Sequence, residues 1–168
     1  GDALKVEILD IMTANRGIIV IAPGYGVLGN KVRDAETRFC EIRDGYVYFK
    51  NIKMRYEPMI GVIGVAYDEK IPCGVPGRHG GNMDTKLIRR GATVYLPIYK
   101  EGGLLAVGDL HAVMGDGEVC VAGCEVAGKV LVRVSVIKNY SPPWPIIETS
   151  EAYYVIVSKE SIEDALKE

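Results

Sequence analysis

Several things are missing from this 168-residue chain, and each absence excludes a class of function. No apolar run approaches the roughly 20 residues of a helical membrane span. The first residues carry Asp2, Lys5, Glu7 and Asp10 rather than a basic, then apolar, signal-peptide pattern. An excess of positive charge is missing too: 20 Lys+Arg face 22 Asp+Glu, for a net charge of -2. That balance argues against nucleic acid or an anionic membrane as the main partner. A second close cysteine pair, as in a zinc ribbon, is also lacking. Cys120 and Cys124 are close, but Cys40 and Cys73 are isolated, so the four read as reduced thiols of a cytoplasmic protein. No Gly-Lys-Ser/Thr follows the glycines at 80–81, which rules out a P-loop. No Gly-x-Ser-x-Gly elbow occurs. Gly24-Tyr25-Gly26-Val27-Leu28-Gly29 fits the dinucleotide fingerprint by letter, but no helical segment follows it.

What is present is short, alternating and glycine-punctuated. Val130, Val132, Val134 and Val136 alternate with Lys129, Leu131, Arg133 and Ser135, a strand signature. Leu4–Leu9, Gly17–Ala22, Tyr46–Phe49, Ile60–Ala66, Thr93–Tyr99, Leu104–Val107, Glu118–Val126 and Ala152–Val157 read the same way. Turn signals such as Asp44-Gly45 and Gly115-Asp116-Gly117 separate them. Helix is expected only over Asp84–Arg90 and from Ser158, with Ser158 or Ser161 as N-cap. The expected fold is mainly β: a jelly-roll-like β-sandwich over residues 1–140, with a small C-terminal α/β portion from 141 to 168. The strand start after Gly1 and the helix running to Glu168 suggest a piece of a longer chain. Edge strands of an open sandwich make a homo-oligomer, a dimer, plausible.

The chemistry-bearing residues lie between 72 and 125, and both histidines are among them. Asp109 and His111 are two apart, which in a strand sets them on one face about 7 Å apart. A carboxylate and an imidazole so placed can converge on a divalent ion such as zinc. Asp116 and Glu118 add carboxylates in a tight turn. Glu125 stands in an otherwise apolar stretch, where a lone charge is costly unless paired or metal-bound. Glu118 and Glu125 would face oppositely on a regular strand, unless a bulge at Gly123 changes the parity. Gly80, Gly81 and Asn82, next to His79 and just before Asp84, suggest backbone donors at a helix start for an anion or oxyanion. Cys73, a few residues from His79, is the one thiol placed to act as a nucleophile.

Taken together, Gly77-Arg78-His79-Gly80-Gly81-Asn82-Met83-Asp84, Val94-Tyr95-Leu96-Pro97, Gly108-Asp109-Leu110-His111 and Gly115-Asp116-Gly117-Glu118 resemble the acetamidase/formamidase family. The segments Pro58–Ala66 and Pro145–Thr149 fit as well. The resemblance implies a mainly β fold with a smaller α/β part, and hydrolysis of short aliphatic amides such as formamide or acetamide to ammonia and a carboxylate. It implies zinc or calcium in some members, and a longer chain. On this reading Asp109 and His111, with Glu125 or Asp84, hold the metal. Glu118, with Asp116 beside it, serves as general base and acid, and Gly80, Gly81, Asn82 and His79 contact substrate or oxyanion. The alternative is a non-catalytic β-sandwich module in which the same acidic cluster holds structural calcium.

Overall fold

The computed structural model describes residues 1–168. Its strands are β1 (Ala3–Ile21), β2 (Glu36–Arg43), β3 (Tyr46–Phe49), β4 (Ile52–Arg55), β5 (Met59–Gly64), β6 (Gly80–Asn82), β7 (Thr93–Pro97), β8 (Ala106–His111), β9 (Glu125–Ile137), β10 (Ile146–Glu148) and β11 (Tyr153–Val155). One short helix, α1 (Ile162–Ala165), follows, with Ser161 accepting from the Asp164 N–H as its N-cap. No helix is long and apolar enough to cross a membrane.

β1 is the spine. Its first half pairs with β7, its second half with β2, and β9 runs antiparallel along the other edge. Leu4, Val6 and Ile8 alternate into the core at period 2. A register shift then leaves Leu9 as an extra residue, and the parity flips so that Ile11 is buried next. The segments Leu4–Leu9 and Gly17–Ala22 are therefore one bent strand. The bulges let it serve two regions of a connected antiparallel sheet.

The sheet closes over one main core. Leu4, Val6, Ile8 and Ile11 of β1, Val94 and Leu96 of β7, and Ile147 of β10 meet Ile60 and Ile63 of β5 and Leu110 of β8. Each such side chain contributes roughly 1.5–3 kcal/mol by leaving water. The mainly β sandwich expected from the sequence is the fold observed. β10 pairs with β7, so the segment after residue 141 extends the main sheet.

Three expectations fail. Asp84–Arg90 is a run of turns and bends rather than a helix, because Asp84 has a left-handed φ of 38° that no helix start tolerates. Gly80-Gly81-Asn82 is the edge strand β6, not a helix entrance. Glu118–Val126 is not one strand: Asp116–Glu118 is a 3-10 segment kinked at Gly117, and β9 starts only at Glu125.

Candidate active site

Three strands and two turns build the site around His111. β5 and β8 pair antiparallel, with Ile60 opposite Leu110 and Val62 opposite Gly108. Between those pairs Gly61 faces Asp109, whose backbone is left-handed at φ 57°. A β-carbon on Gly61 would stand 2.5 Å from Asp109 Oδ2 and 2.7 Å from Asp84 Oδ1. Only glycine leaves room for both carboxylates. The Gly61 carbonyl accepts from the Met83 and Asp84 N–H groups at 3.1 and 3.3 Å, fastening Asp84 over β5.

His111 ends β8 and is 1% exposed. Its single ladder pair with Glu125 is where β8 meets β9. The Nε2 atom lies 3.4 Å from Asp109 Oδ1 and 3.3 Å from Glu125 Oε2. On the other side Nδ1 lies 3.8 Å from Glu118 Oε1. Neither nitrogen makes a hydrogen bond, and Asp84 Oδ1 is likewise buried and unpartnered. Buried polar atoms without partners are rare and call for an explanation.

Gly123 completes the floor. Its N–H donates to Glu118 Oε1 at 2.8 Å and to Glu125 Oε1 at 3.1 Å. A β-carbon there would stand 2.6 Å from His111 Nδ1. One backbone donor thus ties together two acids seven positions apart, and the parity difficulty disappears because Glu118 sits in a turn. Asp84, Asp109 and Glu118 all carry positive φ, at 38°, 57° and 42°. Such strain costs about 1–3 kcal/mol per residue and gathers at functional sites.

The charges are strongly coupled. Burial pulls the His111 imidazole down, but the Asp109 and Glu125 carboxylates outweigh it and raise it to about 10. The His111 ring in turn holds Asp109 below the usual carboxylate range. Burial pushes Asp84 and Glu118 up, and repulsion from Asp109 and from Asp84, respectively, adds to it.

Two donor sets share the imidazole: Asp109, His111 and Glu125, and Asp84, His111 and Glu118, each gathered within 4.8 Å. Donors about 2.05 Å from a tetrahedral zinc stand about 3.3 Å apart. The two Nε2-to-carboxylate distances match that edge. The first set could hold such an ion, with Glu118 nearest the opposite ring nitrogen and Asp84 beside Asp109 across Gly61.

Of the remaining expected residues, only Asp84 joins a donor set. Asp116 does not join the cluster: it is exposed and pairs with Lys86 at 2.9 Å, because the turn sends neighbouring acids in opposite directions. Asp84 reaches the site, grouped with His111 and Glu118 and lying beside Asp109 across Gly61. The Gly80 N–H is committed to Gly77 O, and Gly80 and Gly81 have φ of 92° and 85°. A β-carbon on Gly81 would meet Val75 O at 2.6 Å and His79 Nε2 at 2.8 Å. These glycines therefore serve close packing, Gly80 against Ile63 and Leu96 and Gly81 against His79, a buried ring whose pKa burial lowers. Asn82 is half-buried two positions before Asp84, and Cys73 is exposed. Gly61 escaped the sequence reading, although an isolated glycine within an apolar strand signals a close approach.

The acetamidase/formamidase family pattern matches residues 71–156, which carry every residue of both donor sets. The chain belongs to the acetamidase/formamidase family. A predicted acetamidase/formamidase of Thermoanaerobacter tengcongensis has a similar solved structure, with a TM-score of 0.95 and 50% identity over 99% of this chain and 56% of that one. The gamma lactamase of Delftia acidovorans aligns at a TM-score of 0.79 and 25% identity, over 90% of this chain and 53% of its own. The formamidase of Methylophilus methylotrophus is 36% identical over 103 residues, 55% of this chain and 25% of that protein. This family chain spans about half the length of the similar structures and a quarter or less of the relatives matched by sequence.

Proposed function

We propose that this chain carries the metal-binding active site of an amidohydrolase that cleaves the C–N bond of small amides to ammonia and a carboxylate. The observation that carries the reading is His111: a buried imidazole with carboxylates at both ring nitrogens and a hydrogen bond at neither. Relatives named formamidase and acetamidase, and a similar structure named a gamma lactamase, support amide substrates, open or cyclic.

Asp109, His111 and Glu125 would hold the divalent ion, and their spacing favours zinc over calcium, which takes six to eight oxygens at longer range. Bound there, the ion supplies Lewis acidity toward an amide carbonyl and a water. Glu118 shares the Gly123 N–H with Glu125, so its carboxylate lies beside that donor set. Its carboxylate, held by the Gly123 N–H, takes a proton from the attacking water and returns it to the leaving nitrogen. Burial, then the like charge of Asp84, keeps Glu118 basic. Asn82 offers the side-chain amide donor nearest in sequence to Asp84 for the developing oxyanion.

Metal analysis and ammonia release from formamide and acetamide test this on one preparation. Zinc near one equivalent with chelator-sensitive turnover is expected. Calcium alone with no turnover would establish the structural-calcium module instead.

A further inference from the structure

The glycine pattern over residues 24–29 opens no helix of the dinucleotide kind, since only the 3-10 turn Gly29–Lys31 follows it. It folds instead into a closed loop. The Gly24 N–H donates to the Gly29 carbonyl at 3.0 Å, and the Gly29 N–H to the Gly26 carbonyl at 3.1 Å. This loop lies against the turn that carries Glu118. The Val27 N–H donates to the Val119 carbonyl at 2.8 Å. Gly26 is left-handed at φ 68°, and a β-carbon on it would stand 2.7 Å from both the Cys120 Cα and the Val119 carbonyl oxygen. Gly24 is left-handed too, at φ 80°, but a β-carbon on it would meet nothing within 4 Å.

The Glu118 turn has little else to hold it. Val119 and Val121 are exposed, so packing fixes neither. Val121 is β-branched at φ 72°, where a bulky residue is an outlier, and Glu118 itself stands at φ 42°. The Val121 N–H bonds back to the Glu118 carbonyl and the Glu118 N–H to that of Gly115, both within the turn. The Lys86–Asp116 pair is exposed and adds little. The Val27–Val119 bond is the one backbone hydrogen bond that ties residues 116–122 to another part of the chain. Strained backbone of this kind persists only where its surroundings hold it.

We infer that Gly26 and Val27 are positioning residues for Glu118: their loop holds Val119 and Cys120 so that the Glu118 carboxylate stays at the Gly123 N–H and faces the His111 ring. This rests on the amidase reading above, in which Glu118 moves the proton. Asp109 and His111 lie on β8 and Glu125 at the start of β9, outside that turn. A shifted turn therefore misplaces the base and leaves the ion's ligands in place. Misplacing a reacting group by about 1 Å costs on the order of 10²-fold in rate.

The test measures kcat, KM and bound zinc in the wild type, Gly24→Ala, Gly26→Ala and Val27→Pro, each with and without Glu118→Gln. Gly24→Ala bears the same left-handed cost without the contact, and should keep kcat within about twofold. Gly26→Ala should lower kcat on the order of tenfold or more, with KM and zinc held. Val27 is the second residue of the Gly26–Gly29 turn, a position that favours proline. Val27→Pro thus removes the N–H without the clash, should lower kcat alike, and carries the comparison if Gly26→Ala does not fold. Beside Glu118→Gln both should cost less than about twofold more, because the group they position is gone. No kcat loss in either variant, an equal loss in Gly24→Ala, or an undiminished loss beside Glu118→Gln overturns the inference and leaves the amidase reading intact. If the wild type hydrolyses no amide, the amidase reading fails, and amide hydrogen exchange decides the positioning. The Gly123 N–H, bonded to Glu118, should then exchange about tenfold faster in Gly26→Ala and Val27→Pro and not in Gly24→Ala. Unchanged exchange in all three overturns the positioning as well.

Discussion

Gly61 lies so close to Asp109 that a β-carbon on the glycine would stand 2.5 Å from the carboxylate Oδ2 and 2.9 Å from the Asp109 carbonyl oxygen. The second neighbour is backbone and cannot swing aside. Gly61→Ala must therefore displace Asp109 and strain the β5–β8 ladder. The expected cost is about 1–3 kcal/mol, the usual penalty of overpacking. Zinc affinity should fall at least tenfold. Calorimetric zinc titration beside a thermal melt checks both, and wild-type zinc affinity in the variant would refute the account of Asp109.

Neighbouring acids of one turn should behave oppositely. Asp116 points to Lys86 at the surface, whereas Glu118 faces the His111 ring. Asp116→Ala should keep amide turnover within about twofold, in line with the small worth of exposed ion pairs. Glu118→Gln should lose about 10²-fold or more, the scale of a general acid–base contribution, while retaining zinc. Equal losses in the two variants would contradict the assignment.

His111→Ala should remove metal and activity together, because both donor sets include this ring. Chelation of the wild type should reproduce the loss, and zinc should restore it only where His111 is present. Turnover in a metal-free His111→Ala protein would exclude the proposed mechanism.

Tyr95 and Tyr153 both donate to Glu148 across β7, β10 and β11. The Tyr95 hydroxyl, followed by that of Tyr153, holds the Glu148 carboxyl below its ordinary 4.5. Burial, then Glu148, raises Tyr95 above its ordinary 10.0. A lowered carboxyl stabilises the fold above its unfolded pKa and loses that contribution as pH falls through the folded value. Tyr95→Phe should therefore cost about 1 kcal/mol near neutral pH, discounted for the partial exposure of Glu148. The deficit should shrink below pH 4.5. Melting temperatures across pH 3–8 test the sign (on the order of one point per pH unit suffices).

Thiol reactivity should divide by depth. Burial, then the neighbouring Cys40, pushes the Cys124 thiol up to about 12, and burial raises Cys40 as well. Cys73 is exposed. A disulfide reagent near pH 8 should label Cys73 in the native protein, and Cys40 and Cys124 only after denaturation. Fast native labelling of Cys124 would contradict its burial beside Gly17.

Period-2 patterning made the β class legible, because burial on one face imposes alternation within a strand whatever its partner. Tyr46–Phe49 coincides with β3, and Ser161 caps α1 as its side-chain chemistry allows. Asp109 and His111 were legible as a pair for a similar reason: their spacing is local, and both reach the cluster. The bends were not. A bulge at Leu9 fuses two apparent strands into β1, and its position depends on what β9 offers across the ladder.

From the sequence alone came the residue types, the acid-rich stretch around two histidines and the mainly β character, all fixed by local periodicity and composition. Only the tertiary structure decided which acids meet. Gly61 and Gly123 lie 62 positions apart in the chain, yet together they clear the space in which Asp84, Asp109, Glu118 and Glu125 surround one imidazole. That arrangement depends on strand pairing and on left-handed backbone at three acids. Long-range contacts set both of these, and no local pattern records them.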